Sequence, residues 1–160
     1  MAKQVILYFS NTGHTEAVAQ KIAAVTGAQL VPLQAEQPYT AADLDWNDPT
    51  SRTSLETHDS TSRPGIVVPN KRLIAQADTI FLGSPLWWGQ VPHVINTLLE
   101  TGLFRCKDVR QFCTSGSTPI AKSTATLKTA YPAINWGPSH RFMTAITGQE
   151  VEDWLKAGNQ

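Results

Sequence analysis

Three stretches of this chain carry residue types that could do chemistry. The first, Ser10-Asn11-Thr12-Gly13-His14-Thr15, gathers hydroxyl and amide side chains around a single glycine. Hydroxyls and backbone amides donate to anionic oxygens, and a glycine lets the backbone approach them closely. His14 adds positive charge when protonated. The loop is not a Walker A motif, because no Gly-Lys-Ser/Thr follows, and one glycine does not make a G-x-G-x-x-G fingerprint. It offers either an anion site or a hydroxyl-capped helix start with no ligand. The second stretch, Ser84-Pro85-Leu86-Trp87-Trp88-Gly89-Gln90, holds two adjacent tryptophans. Neighbouring side chains after a strand point apart, so at least one ring should lie near the surface, where a flat ligand could stack. Packing against residues 34–65 is the alternative. The third stretch, Thr114-Ser115-Gly116-Ser117-Thr118, adds further hydroxyls and a glycine. Cys113 could suggest a C-x5-R nucleophile loop, but residue 119 is Pro.

The elements that would position these stretches can be read from hydropathy. Val5-Ile6-Leu7-Tyr8-Phe9 is a near-continuous apolar run, as expected of a strand buried on both faces. Ala17, Val18, Ile22 and Val25 then recur at helical spacing, so the first loop lies where a strand hands over to a helix. That junction presents unpaired amides and the positive end of the helix dipole. Ala28–Leu33 predicts a second strand, entered through a helix-ending Gly27. Residues 34–65 are rich in Asp, Thr, Ser and Pro and show too little apolar periodicity for a core element. They are expected to be a solvated insertion, with Arg52 and Arg63 as surface charges or, alternatively, lid or phosphate contacts. A short helix over 70–76, a buried strand over 77–83, a helix over 92–100, a strand over 109–114 and a helix over 120–130 follow. Either 133–136 or 141–146 supplies the last strand. Thr147-Gly148-Gln149-Glu150 reads as a capping box opening a final helix with Val151, Trp154 and Leu155 on its apolar face. Strand and helix alternate, which implies an open parallel α/β sheet with helices on both faces. Ligands in such sheets sit beyond the carboxyl ends of the strands, where all three polar stretches fall.

Length and charge narrow the class. The 160 residues suit one domain, with 44–65 as a long loop or insertion. Lys plus Arg and Asp plus Glu are each 13, giving a net charge of zero and no footprint for nucleic acid or an anionic membrane. No apolar run approaches a membrane span, and the N-terminal one is too short for a signal peptide. Cys106 and Cys113 have no metal or redox spacing, so a cytoplasmic protein with two free thiols is expected.

The chain resembles the flavodoxin family, of the bacterial flavodoxin-like kind. The resemblance rests on Tyr8 to Thr15, Gly83 to Gly89 and Cys113 to Ser117, in that order. It implies a flavodoxin-like three-layer α/β/α sandwich with a five-stranded parallel sheet, binding FMN non-covalently. Carried over by residue, Ser10, Asn11, Thr12, Gly13, His14 and Thr15 would hold the ribityl phosphate. Pro85, Leu86, Trp87, Trp88 and Gly89 would line the ring, with one Trp stacking. Thr114, Ser115 and Gly116 would meet its polar edge. Gly89 could turn its peptide toward the proton that the ring gains on reduction, having no Cβ to resist. The flavin does the redox chemistry, so no catalytic residue is required. The expected function is electron transfer to a redox partner protein or small-molecule acceptor. The alternatives are an FMN-dependent NAD(P)H oxidoreductase reducing quinone-like acceptors, or a ligand-binding module without turnover. Carriers of the family are acidic, whereas this chain is neutral and has Gln90 beside Gly89. That favours a less negative potential for the reduced flavin and shifts weight toward the oxidoreductase.

Overall fold

In the computed structural model, residues 3–157 are described apart from 12, 68–69, 115–118 and 144–145. The apolar run of the N-terminus forms β1 (Gln4–Phe9), and its burial on both sides follows from its place inside the sheet. Parallel to it on one side lies β2 (Gln29–Ala35), which carries a two-residue antiparallel edge, β3 (Ile66–Val67). On the other side lie β4 (Thr79–Pro85) and then β5 (Asp108–Thr114), both parallel to β1.

The last position of the sheet is shared. Asp108 and Val109 of β5 pair with β6 (Asn135–Trp136), and Phe112 to Thr114 pair with β7 (His140–Phe142). Gly137 and Pro138 lie between the two pieces. The two sequence candidates for the final strand are therefore halves of one interrupted strand. The expected five parallel positions are present, with the fifth split and β3 added at the opposite edge.

Alternation along the strands divides the core between two helical layers. Ile6 and Tyr8 face α1 (His14–Thr26) and α6 (Gly148–Ala157), packing with Val18, Ala19, Ile22, Val151 and Trp154. Val5, Leu7 and Phe9 face α3 (Lys71–Gln76), α4 (His93–Leu99) and α5 (Ala121–Ala130). Ala17, expected on the buried face of the first helix, is exposed, and Ala19 takes its place. Gly27 closes α1 as expected, at φ 72° with its N–H on the Ala23 carbonyl at 2.8 Å. At α6, the Thr147 hydroxyl accepts from the Glu150 amide at 3.2 Å, which is one half of the expected box. The Glu150 carboxylate reaches His140 instead, 2.9 Å away.

Residues 34–65 depart most from expectation. They are not a bare solvated insertion, because α2 (Arg52–His58) forms within them. Ser51, Thr53, Ser54 and Thr57 are buried, while the helix's one leucine, Leu55, is 59% exposed. The Ser51 hydroxyl caps the helix, accepting from the Ser54 amide at 3.3 Å and donating to the Ser54 hydroxyl at 2.9 Å. Ser54 in turn donates to the Asp48 carbonyl at 2.8 Å. Asx turns at Asp48 and Asp59 hold the flanks. Hydrogen bonds from Thr50 and Thr61 keep these two carboxyls below the usual range. No helix among the described residues is long and apolar enough to cross a membrane.

Candidate functional site

The chain leaves β1 toward β2 on one side and returns to β4 on the other. The strand order therefore reverses between β1 and β4, which opens a crevice at their carboxyl ends. The loop after β1 is Ser10–Gly13. His14 and Thr15, expected within that loop, already form the first turn of α1. Gly13 is the helix N-cap at φ 91°, a left-handed conformation that suits glycine, and nothing lies within 4 Å of where its Cβ would be. The Ser10 hydroxyl accepts from the Gly13 amide at 3.1 Å and so shapes the loop. Asn11, Gly13 and His14 are exposed, and the amides of the first helical turn have no partner within the helix.

Thr15 is 2% exposed, and its hydroxyl lies 2.9 Å from the Thr114 hydroxyl at the end of β5. This pair ties the first stretch to the third. Thr12, Ser115 and Gly116 lie outside the described residues.

Beyond Pro85, the last residue of β4, Leu86 and Trp87 are half-buried, and the chain makes a tight turn. Trp87 donates to the Gln90 carbonyl at 2.7 Å, and Gln90 donates back to the Trp87 carbonyl at 3.0 Å. Trp88 and Gly89 at its tip have φ of 52° and 76°, the pair of positive values of a type I′ turn. That turn favours Asn-Gly. A tryptophan at its first position carries backbone strain of about 1–2 kcal/mol.

The two tryptophans part as neighbours must. Trp87 packs edge-on against Phe9 (6.3 Å) and Tyr39 (5.3 Å), fastening the second stretch to β1 and to the 34–65 segment. Trp88 stays 41% exposed, with one ring contact among the described residues, to His58 at 5.1 Å. The expected alternative of packing against 34–65 thus holds fully for Trp87 and at one edge for Trp88.

Tyr39 and His58 are the neighbours that sequence reasoning missed. The one available signal was an aromatic residue in an otherwise polar stretch. Tyr39 is held by Arg52, whose guanidinium carbon lies 3.8 Å from the ring centre, and donates to Glu56 at 2.5 Å. Burial, then the Glu56 hydrogen bond, raises the Tyr39 pKa, so it remains a donor. Arg52 also binds Glu56 at 2.9 Å and the Gln37 carbonyl at 2.6 Å. Arg63 pairs with Glu100 at 2.9 Å. Arg52 therefore braces the segment internally, and Arg63 ties it to the end of α4.

Cys113 is buried, which pushes its thiol up to about 12 against the opposing pull of Arg141. It is an inert core residue. Cys106 is a free, exposed thiol. Among the described residues, no group of three or more His, Cys, Asp or Glu could hold a metal ion.

The flavodoxin family profile matches residues 3–158. A crystal structure of a provisionally assigned flavoprotein from Bacteroides eggerthii is 37% identical, with TM-score 0.94, covering 100% of this chain and 99% of that one. A second such protein, from Bacteroides uniformis, is 39% identical, with TM-score 0.88 and coverage of 97% and 98%. A Lactobacillus acidophilus flavoprotein, solved in complex with FMN, shares the fold at 24% identity and TM-score 0.75, with coverage of 97% and 99%. No curated protein matches the chain.

Proposed function

The chain belongs to the flavodoxin family, and on that premise we propose that the crevice between β1 and β4 holds FMN non-covalently and serves electron transfer. The observation that carries this reading is the turn tip. Trp88, beyond the end of β4, is kept at a strained positive φ and left 41% exposed, and the neighbouring strand β1 leads into a helix start with open space at Gly13. Strain of this kind persists where the surroundings impose it and points to a function. A flat ring with a phosphate tail fits the chemistry on offer.

In this reading the first-turn amides of α1, with Ser10, Asn11, Thr12, Gly13 and His14, take the phosphate. Helix starts suit that charge. Thr15 acts from behind, locking the first loop to Thr114. Trp88 stacks on the ring, while Trp87 braces the wall against Phe9 and Tyr39. Pro85, Leu86 and Gly89 complete that wall, and Ser115 and Gly116 lie at the polar edge. The flavin, when bound, supplies the redox chemistry. Turning the Trp88–Gly89 peptide over takes the turn from type I′ to II′, which Gly89 accommodates freely but which moves Trp88 into a conformation that favours glycine.

The net charge of zero favours the oxidoreductase version of this reading. A neutral surface steers poorly toward a basic partner protein, so NAD(P)H as donor and a quinone-like small acceptor fit better. A cytoplasmic location is part of the same proposal.

The test is an absorbance spectrum of the purified protein, then acid release and identification of the chromophore. Released FMN is expected. A colourless protein that also ignores added FMN would overturn the reading. With FMN bound, steady oxidation of NADPH in the presence of a quinone alone identifies the enzyme. Reduction only through a partner reductase identifies the carrier. A redox titration giving a very low potential would count against the neutral Gln90 environment as the tuning element.

A further inference from the structure

The 34–65 segment touches both tryptophans of the second stretch, each through a different residue. Tyr39 packs edge-on against Trp87 at 5.3 Å, and His58 meets Trp88 at 5.1 Å with the two rings inclined by 67°. Both contacts are anchored in α2. The Tyr39 hydroxyl donates to Glu56 at 2.5 Å, and His58 is the last residue of the helix. The His58 Nδ1 lies 2.7 Å from the Ser54 carbonyl, one turn back. A carbonyl oxygen only accepts, so Nδ1 carries a proton and the bond restrains the ring. Ser54 is itself held, since its hydroxyl donates to the Asp48 carbonyl at 2.8 Å and its amide to the Ser51 hydroxyl at 3.3 Å. The helix is thus a bracket with one aromatic contact to each tryptophan.

The two tryptophans depend on that bracket to different degrees. Trp87 is half-buried and packs on Phe9 as well, at 6.3 Å. Trp88 sits at the turn tip, 41% exposed, and His58 is its one ring neighbour among the described residues. The paired hydrogen bonds of Trp87 and Gln90 set the backbone of the turn, but they leave the Trp88 indole free to rotate about its own side-chain bonds. A ligand that stacks on a rotating indole must freeze it, which weakens binding. An edge-to-face contact with a restrained ring removes part of that cost beforehand.

We propose that His58 is a positioning residue for Trp88, and that through it α2 presets the aromatic face of the crevice for a flat ligand. This rests on the flavin reading above, in which Trp88 stacks on the ring, and His58 acts through Trp88 alone. The 34–65 segment then takes part in ligand affinity. Coupling of this kind is reciprocal, so a flavin held by Trp88 also steadies α2.

The experiment titrates FMN into flavin-free, full-length protein as wild type, His58→Ala, His58→Asn and His58→Phe, each with Trp88 intact and with Trp88→Ala. Amide spectra report whether each variant is folded. His58→Asn keeps an N–H for the Ser54 carbonyl without the ring, and His58→Phe keeps a ring without the donor. His58→Ala and His58→Asn are expected to weaken FMN binding alike, by about threefold to tenfold, and His58→Phe to recover most of that loss. In the Trp88→Ala background all four should bind equally, because the partner of the contact is gone. Before flavin is added, the His58 ring protons should show a ring-current shift that Trp88→Ala removes. Bound FMN should slow amide exchange over 52–58 in the wild type and much less in His58→Ala. Tight binding by His58→Asn with weak binding by His58→Phe would assign the effect to the helix end and overturn the proposal. An equal effect of His58→Ala with and without Trp88, or a missing ring-current shift, would overturn it too. Normal FMN binding that ignores His58 sinks this proposal alone, whereas no FMN binding by the wild type sinks the flavin reading with it.

Discussion

The crevice side of the sheet and the 34–65 segment are held together by opposite means. In the sheet, β1, β4 and β5 bury apolar side chains on both faces, and the helices supply matching apolar stripes. In the segment, Ser51, Thr53, Ser54 and Thr57 turn inward, Leu55 turns out, and an Arg52–Tyr39–Glu56 cluster replaces the apolar core. Non-directional burial tolerates small shifts, whereas buried hydrogen bonds fail when one partner is lost. The segment should therefore be the more brittle region and the sheet the more cooperative one. The proposed site lies where they meet, since Trp87 packs on Phe9 from the sheet and on Tyr39 from the segment.

The largest effect is expected in the sheet. A Cβ at Gly83 would come within 2.1 Å of the Phe112 ring, deep between β4 and β5. Gly83→Val should cost about 3 kcal/mol in urea unfolding, with the whole domain losing stability together. Next comes Glu56→Ala, which strands the Tyr39 hydroxyl and the Arg52 guanidinium in a half-buried cluster. A loss of about 2 kcal/mol is expected. Hydrogen exchange should quicken over 37–58 before it changes in β1 and β4. If both variants weakened the molecule uniformly, the contrast between the regions would be lost. Trp88→Asn should work in the other direction. It puts the residue that a type I′ turn favours at φ 52°, for a gain of about 0.5–1 kcal/mol in thermal unfolding, while FMN affinity falls.

The smallest effect concerns pH. His93 holds its proton less well in the fold than at its ordinary value of 6.5, because burial and Arg63 outweigh Glu56 and Asp59. The unfolded chain therefore binds more protons as the pH falls, so the stability tied to neutral His93 is present above about pH 6.5 and declines below it. H93N should flatten that part of a pH–stability curve.

What could be read from the sequence follows the same divide. The run from Val5 to Phe9, the Gly27 cap and the three polar stretches gave the sheet and the position of its crevice, because apolar burial leaves a periodic trace. The split last strand was half visible, as two competing segments, since Gly137-Pro138 interrupts the pattern without ending the pairing to β5. The order inside 34–65 left no such trace. Hydroxyl groups that satisfy one another read as surface residues, and Leu55 pointed the wrong way. Thr15 illustrates the limit within the site. Its type suits a phosphate, but only the geometry reveals its bond to Thr114, 99 residues later.

The most direct test of the account titrates FMN into flavin-free protein, wild type beside Trp88→Ala, following quenching of flavin fluorescence. Saturable one-to-one binding is predicted, weakened about tenfold or more when the exposed ring is removed. Absence of binding to the wild type, or equal affinity in the two proteins, would contradict the assignment of the crevice and of Trp88.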